Sequence, residues 1–384
     1  MSGYIRPVGS DRWQVMFDVS PDPVTGRRRR RSRTISGTRD DAVAELARIQ
    51  QELSDGLWID DGTMRLTDFT ELFIDARRRR WRPTTESWYR QKLAYATKVM
   101  GHRKLSQITG GSLTVFYGRL LDRGLSPTTV QHVHRALRAM FRAAVKWGYL
   151  KTDPSERAEP PTTQRPRMQT WTAGQLALFL EEVSGHRFGI AYLIAAMTGM
   201  RRGEVAGLRW TDIADDYTTM TITQTITVVN GRTHVGPPKT GAGIRRIALD
   251  ETTGRLLRAH RVTQRETWLA MDGNFEDLDH VVAWPDGRPV HPDLISKAFR
   301  KLVDTLELPA IRLHDLRHTY ATLAMELGVN VVVISERLGH ASPAITTNLY
   351  THVRDHMDRD AAEAIADAVR RPREQPEGRL LHGD

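Results

Sequence analysis

The run His314-Asp315-Leu316-Arg317-His318-Thr319-Tyr320-Ala321-Thr322 places two imidazoles and a guanidinium within five residues. It falls inside Leu313 to Leu327, where the pattern predicts a helix. Positions three and four apart share a helix face, so His314 and Arg317 project together. Helical patterns surround it at Pro292 to Leu306, Val331 to Leu338 and Pro343 to Tyr350. Upstream, Thr172 with Gln175 three residues later forms a capping box, opening a helix that carries Leu176, Phe179, Leu180 and Val183. His186 to Thr198 is nearly all apolar, as a buried helix would be. Met220, Ile222, Gln224, Ile226 and Val228 alternate with threonines and read as one half-buried strand. Asn230-Gly231 is a strong hairpin signal. A further strand, Ile244 to Leu249, follows the Gly241-Ala242-Gly243 turn. The expectation is a mainly helical domain over residues 169–370 with a small antiparallel sheet.

Further outward the texture changes twice. Residues 151–168 hold Pro154, Pro160, Pro161 and Pro166 among polar neighbours with no apolar period, so they are expected to form a linker. Residues 64–150 read as all helix. Thr67 is expected to cap a helix carrying Phe69, Leu72, Phe73 and Ala76, and a second helix holds Trp88, Leu93, Ala96 and Val99. Ser126-Pro127 starts another, with a capping serine and proline at the first helical position. Its stripe of Val130, Val133, Leu137, Phe141 and Ala144 is core, and the opposite side carries His132, Arg135, Arg138 and Arg142. Residues 1–62 open with alternation at Trp13, Val15 and Phe17, followed by a turn. The basic run Arg27-Arg28-Arg29-Arg30-Arg31-Ser32-Arg33 comes next, then a helical stretch from Asp40. A three-stranded sheet with one helix is expected, with the arginines concentrated on or beside a hairpin. The polar tail, residues 371–384, is expected to be loose.

The fold class is therefore mostly α and multidomain: a small α+β domain, an all-α domain and a mainly helical domain with a small sheet. The chain has 384 residues, 56 Lys+Arg against 46 Asp+Glu, a formal net charge of +10 and no cysteine. The charge suits a polyanion, nucleic acid before an anionic membrane surface. The absence of cysteine excludes disulfides, thiol nucleophiles and cysteine-ligated zinc. No apolar run reaches bilayer-spanning length, and the first ten residues lack a secretory core, so the cytoplasm is the expected location.

Three further stretches accompany residues 314–322: Thr198-Gly199-Met200-Arg201-Arg202-Gly203-Glu204; Pro238-Lys239-Thr240; and Leu338-Gly339-His340, followed by Thr346-Thr347-Asn348-Leu349-Tyr350-Thr351-His352-Val353. In order and spacing the set resembles the tyrosine recombinases, or phage-type integrases, and the resemblance covers essentially the whole chain. It implies an arm-type DNA-binding domain at 1–62, a core-binding domain at 64–150 and a catalytic domain at 169–370. It also implies a site-specific recombinase that cleaves and rejoins DNA through a 3′-phosphotyrosyl intermediate. Such an enzyme would integrate and excise a phage or other mobile element, working without metal, ATP or cofactor. The implied partners are double-stranded DNA with core and arm sequences, a homotetramer on that DNA, a host DNA-bending protein and an excision factor.

The chemistry explains the residue types. A phosphodiester repels nucleophiles, and its transition state spreads charge over the non-bridging oxygens. Planar guanidinium forks match those oxygens. By resemblance Arg201 and Arg317 are the two forks, Tyr350 the nucleophile, Lys239 the general acid, His314 an aid to proton transfer and His340 a donor to the phosphate. Glu204 and Asp315 are expected to support their neighbours, whether by orienting them or as a surface partner and a helix cap respectively. Arg27, Arg28, Arg29, Arg30, Arg31, Arg33, Arg135, Arg138 and Arg142 are the expected DNA contacts. Simpler roles are expected elsewhere. His314 and His318, four apart, lack the motif of a zinc pair, and no metal is expected. His318 reads as structural, Arg202 as a surface or ion-pair residue, and Trp171 and Trp210 as core. A type IB topoisomerase and a non-catalytic DNA-binding regulator are the competing readings, and Tyr320 is the nearest rival to Tyr350.

Overall fold

The computed structural model describes residues 3–19, 28–54, 64–163, 168–271, 276–340 and 342. Arg27, Tyr350, the expected helix from Pro343 and the tail lie outside them. The chain divides into two compact units, residues 1–165 and 166–384.

The first unit opens with an antiparallel sheet in the order β1 (Gly3–Gly9), β2 (Arg12–Val19), β3 (Arg29–Ser36). Helix α1 (Arg39–Ser54) covers one face, and Val15, Phe17, Val19, Ala42 and Ile49 form the core between them. Burying each large apolar side chain stabilises the layer by roughly 1.5–3 kcal/mol. From Arg28 onward the basic run lies on and beside β3, which pairs antiparallel with β2 as a hairpin strand would, but its side chains divide between the two faces. Side chains alternate along a strand, and the register pairs Phe17 with Arg31 and Val15 with Arg33, but Asp18 with Arg30. Arg31 and Arg33 therefore share the helix-covered face, where Arg33 meets Glu45 at 2.8 Å. Arg30 lies on the open face, 3.2 Å from Asp18 and against the ring of Tyr4; Arg28 also pairs with Asp18.

Among the described residues, four α-helices complete this unit: α2 (Leu66–Arg78), α3 (Pro83–Met100), α4 (Gly110–Asp122) and α5 (Pro127–Lys146). Thr67 does not cap α2. The helix begins one residue earlier, and the Gly101 and Arg103 carbonyls take the Thr67 and Leu66 N–H groups, so no side-chain cap is needed. Ser126 does cap α5, accepting from Thr129 N. The α5 stripe is fully buried, and Arg135, Arg138 and Arg142 are exposed opposite it. Within the expected linker, a 3-10 turn at Pro154–Arg157 packs against α4 and α5. Pro154 and Ser155 are buried and Asp153 holds Ser155 N at 2.8 Å. Proline-rich composition hid this because the order comes from one short Asp-based turn rather than from an apolar period.

The second unit begins with α6 (Ala173–Glu182), capped by the Thr172/Gln175 box, then α7 (Gly189–Thr198) and the short α8 (Arg202–Gly207). The expected single strand is two: β4 (Thr219–Ile222) and β5 (Thr225–Val229). Thr223 and Gln224 break it, because Thr223 bonds Arg209 and Asp212 while Gln224 donates to Gly207 O. β5 pairs with β6 (Arg232–Gly236) through the Asn230-Gly231 turn, both turn residues having positive φ. β4 pairs instead with β7 (Arg245–Ala248). Then come α9 (Glu251–Ala270), α10 (Pro292–Thr305), α11 (Asp315–Glu326) and α12 (Val331–Leu338). The sequence reading missed α9. Its inner face uses Thr253, Gly254 and Gln264 beside Leu257 and Trp268, too polar a stripe to register as periodic. Trp171 and Trp210 are both core.

Candidate active site

The site assembles at three helix boundaries of the second unit. α7 is stopped by Gly199 at φ +65°, a left-handed conformation that costs a side chain about 1–2 kcal/mol. The chain then turns through buried Met200 to Arg201, which precedes α8. Glu204, in the first turn of α8, accepts from Arg201 N at 2.9 Å and from Arg201 Nη1 at 2.7 Å. The guanidinium is thus gripped at its base, while 40% of the Arg201 side chain stays exposed and its Nη2 donates to Gly339 O at 3.0 Å.

α11 starts where Asp315 takes Arg312 N at 2.7 Å and the Arg312 fork at 2.7 and 3.0 Å. Asp315 thereby both anchors the helix start and holds Arg312. Two residues on, Arg317 is 3% exposed and donates Nη1 to Gly199 O at 2.8 Å. His314 stands edge-to-face with His318, ring centres 5.2 Å apart. α12 ends at Gly339, φ +64°, and His340 follows, its N–H bonded to Ser335 O.

The electrostatics show how closely these groups gather. Burial, reinforced by His318 and Arg317, pushes His314 down to about 4. Burial, reinforced by Arg317 and Arg201, does the same to His340. Both imidazoles are therefore neutral at pH 7, each able to offer one N–H and one lone pair. Burial alone would raise Glu204, but the Arg245 hydrogen bond and charge, with help from Arg201, outweigh it and hold the carboxyl below its ordinary value.

The structure thus brings Arg201, Arg317, His314 and His340 together. Lys239 is exposed on the turn joining β6 to β7 and bonds none of these groups among the described residues. The turn's backbone does reach the site: a side-chain Cβ on Gly339 would lie 2.7 Å from Ala242 O. Arg202 is an ion-pair residue, 2.7 Å from Asp293. Sequence reasoning missed Arg245, which binds the far side of Glu204. It also missed a cleft of about 910 Å³ beside His314, where Arg202, Lys297, Arg300 and Arg312 line the wall. Strand alternation could have flagged Arg245, since it shares the core face with Ile247 and a charge there demands a partner. Among the described residues no cluster could hold a metal, and no helix is long and apolar enough to cross a membrane.

Residues 173–357 match a family model described as the phage integrase family. The chain is 24% identical over 371 residues to the ICEBs1 integrase of Bacillus subtilis strain 168, covering 95% of this chain and all of that one. It is 28% identical over 354 residues to a XerC-like tyrosine recombinase of Caldanaerobacter subterraneus subsp. tengcongensis, covering 86% of this chain and 90% of the relative. Among solved structures it resembles the integrase of transposon Tn1549 in complex with transposon right end DNA. The TM-score is 0.66 and the identity 19%, over 78% of this chain and 100% of the other.

Proposed function

Because the chain belongs to the tyrosine recombinases of the phage integrase family, we propose that Arg201, Lys239, His314, Arg317, His340 and Tyr350 are the groups with which it cuts and rejoins DNA. One observation carries this assignment. Two guanidiniums, each pinned by a backbone carbonyl from another segment, both act on the His340 imidazole, and Arg317 also acts on His314. Fixed donors of this kind lower the barrier because they need no reorganisation as phosphate charge develops.

The Tyr350 oxygen attacks the scissile phosphorus, the P–O5′ bond breaks, and the tyrosine stays joined to the 3′ phosphate. The phenol has an ordinary pKa near ~10, so its proton must leave as attack proceeds, and a neutral His314 can accept it. Lys239, on an exposed turn, gives its proton to the departing 5′ oxygen. Arg201 and Arg317 take the non-bridging oxygens, and His340 adds a hydrogen bond. A second 5′ hydroxyl then attacks the phosphotyrosine and restores a phosphodiester. The ester energy is conserved, so neither ATP nor metal enters the balance.

The element served is a phage or other integrating element, and the protein works in the cytoplasm as a homotetramer on paired sites. Residues 1–62 bind arm sequences, with Arg27 to Arg31 and Arg33 supplying charge. Residues 64–150 bind the core, with Arg135, Arg138 and Arg142 facing the backbone. Residues 169–370 carry the chemistry. A host DNA-bending protein and an excision factor complete the assembly.

The test is a nicked attachment-site duplex taken from the DNA flanking the gene. The wild-type chain traps a covalent protein–DNA adduct, Tyr350→Phe yields none, and Tyr320→Phe still forms it. An adduct persisting in Tyr350→Phe overturns the choice of nucleophile. Tyr320 packs with the α11–α12 cluster, with Arg337 over its ring, which argues for a structural role.

A further inference from the structure

We propose that Arg245 is a positioning residue for strand cleavage, one that leaves the charge of Arg201 available to the phosphate and ties the Lys239 turn to the segment bearing His340. The proposal rests on the recombinase reading above. Arg245 opens β7 opposite Ile222, on the face that also buries Met220 and Ile247. Its side chain is 7% exposed and that of Glu204 3%. A guanidinium so placed persists only if nearly all its donors are used.

They are used on three segments at once. Nη2 and Nη1 donate to the two oxygens of Glu204 at 3.0 and 3.3 Å. Nη1 also donates to Gly243 O at 3.1 Å, in the turn that follows Lys239. Nε donates to Arg337 O, in the last turn of α12, three residues before His340. Space for this comes from Gly339, where a Cβ would stand 3.0 Å from Arg245 Nη1. The turn, the start of α8 and the end of α12 are thereby fixed to one planar group.

The charge count gives the arrangement its consequence. With Glu204 alone, Arg201 would sit in a neutral pair, 2.7 Å from a buried carboxylate, and its pull on a phosphate would be largely cancelled. Arg245 supplies the compensating positive charge from the interior side. The Arg201–Glu204–Arg245 triad carries a net charge of one positive unit, and its open end is the exposed half of Arg201. Glu204 then serves as a rigid bracket without neutralising the group it holds.

The experiment compares two substrates. One is the nicked attachment-site duplex. The other is the same duplex with a methylphosphonate at the scissile position, where a methyl replaces one non-bridging oxygen and removes the charge that Arg201 meets. Arg245→Met is expected to slow adduct formation at least ~30-fold on the phosphodiester but less than ~3-fold on the methylphosphonate, with DNA affinity within ~3-fold of wild type. Glu204→Gln in the Arg245→Met background removes the unbalanced carboxylate and recovers at least ~5-fold. Arg245→Lys, which keeps the charge but not the fork, falls between. Equal losses on both substrates, or a wild-type rate in Arg245→Met, overturn the proposal. If Arg245→Met does not fold, Arg245→Gln, which removes the charge but keeps an amide donor for Glu204, is compared on the two substrates by the same criterion. Failure of the wild-type chain to form any adduct would instead remove the recombinase reading.

Discussion

Arg201 donates to the carbonyl oxygen of Gly339 at 3.0 Å, across 138 residues of sequence. The reciprocal bond runs from Arg317 to the carbonyl of Gly199, two residues before Arg201, at 2.8 Å. Both acceptors are glycines in the left-handed conformation at the ends of helices. Each arginine is therefore aimed by the helix terminus that delivers another part of the site. Loosening one boundary should misplace more than one group of the proposed catalytic set.

Gly339→Ala tests this against Gly328→Ala. Gly328 has φ +74° and open space where a Cβ would go, so the substitution should cost only the conformational ~1–2 kcal/mol and leave cleavage intact. At Gly339 the new Cβ would meet Ala242 O at 2.7 Å. Gly339→Ala should lower the melting temperature further and slow adduct formation at least ~10-fold. Equal behaviour of the two variants would show that the boundary does not aim the site.

Adjacent arginines should separate sharply. Arg201→Ala should lose at least ~100-fold in cleavage with little change in DNA affinity. Arg202→Ala, which breaks the Asp293 pair and the Ser296 hydrogen bond, should stay within ~5-fold. Single-turnover adduct formation measures both; a reversed order would move the assignment one residue.

The free protein should lose stability in mild acid. His314 and His340 are held near 4 in the folded chain against 6.5 when unfolded, with burial the first cause. Between those values the unfolded chain binds more protons, so this contribution is full above about pH 6.5 and is lost as pH falls towards 4. Thermal melting at pH 7, 5.5 and 4.5 should show the decline, and a His314→Gln/His340→Gln double variant should shrink it. An unchanged slope in that variant would place the titration elsewhere.

Deleting residues 1–62 should spare adduct formation at a core site yet block integration at a complete attachment site. Binding by the full chain should weaken steeply as salt rises, since many phosphates are neutralised. Undiminished integration by the truncated chain, scored with paired attachment-site plasmids, would remove the arm-binding role.

Much of the architecture could be read directly from residue order. Ser126-Pro127, the Thr172/Gln175 box and Asn230-Gly231 act through neighbours two to four positions away, so their geometry is local and appears where the pattern says. The strand at 219–229 and helix α9 were misread for the opposite reason. The break at Thr223-Gln224 is imposed by Arg209, Asp212 and Gly207, and α9 is held by a partly polar face whose partners lie far along the chain.

The same division runs through the site. Motif order and family resemblance single out Arg201, Lys239, His314, Arg317 and His340 as the proposed set, and a phosphate's charge is consistent with those side-chain types. Which carbonyl aims which arginine, how deeply the imidazoles are desolvated and why Glu204 does not neutralise Arg201 all came from packing. Hydrogen-bond direction, burial and the summed field of several charges depend on distances through space, and residues some forty to 140 positions apart in sequence set them here.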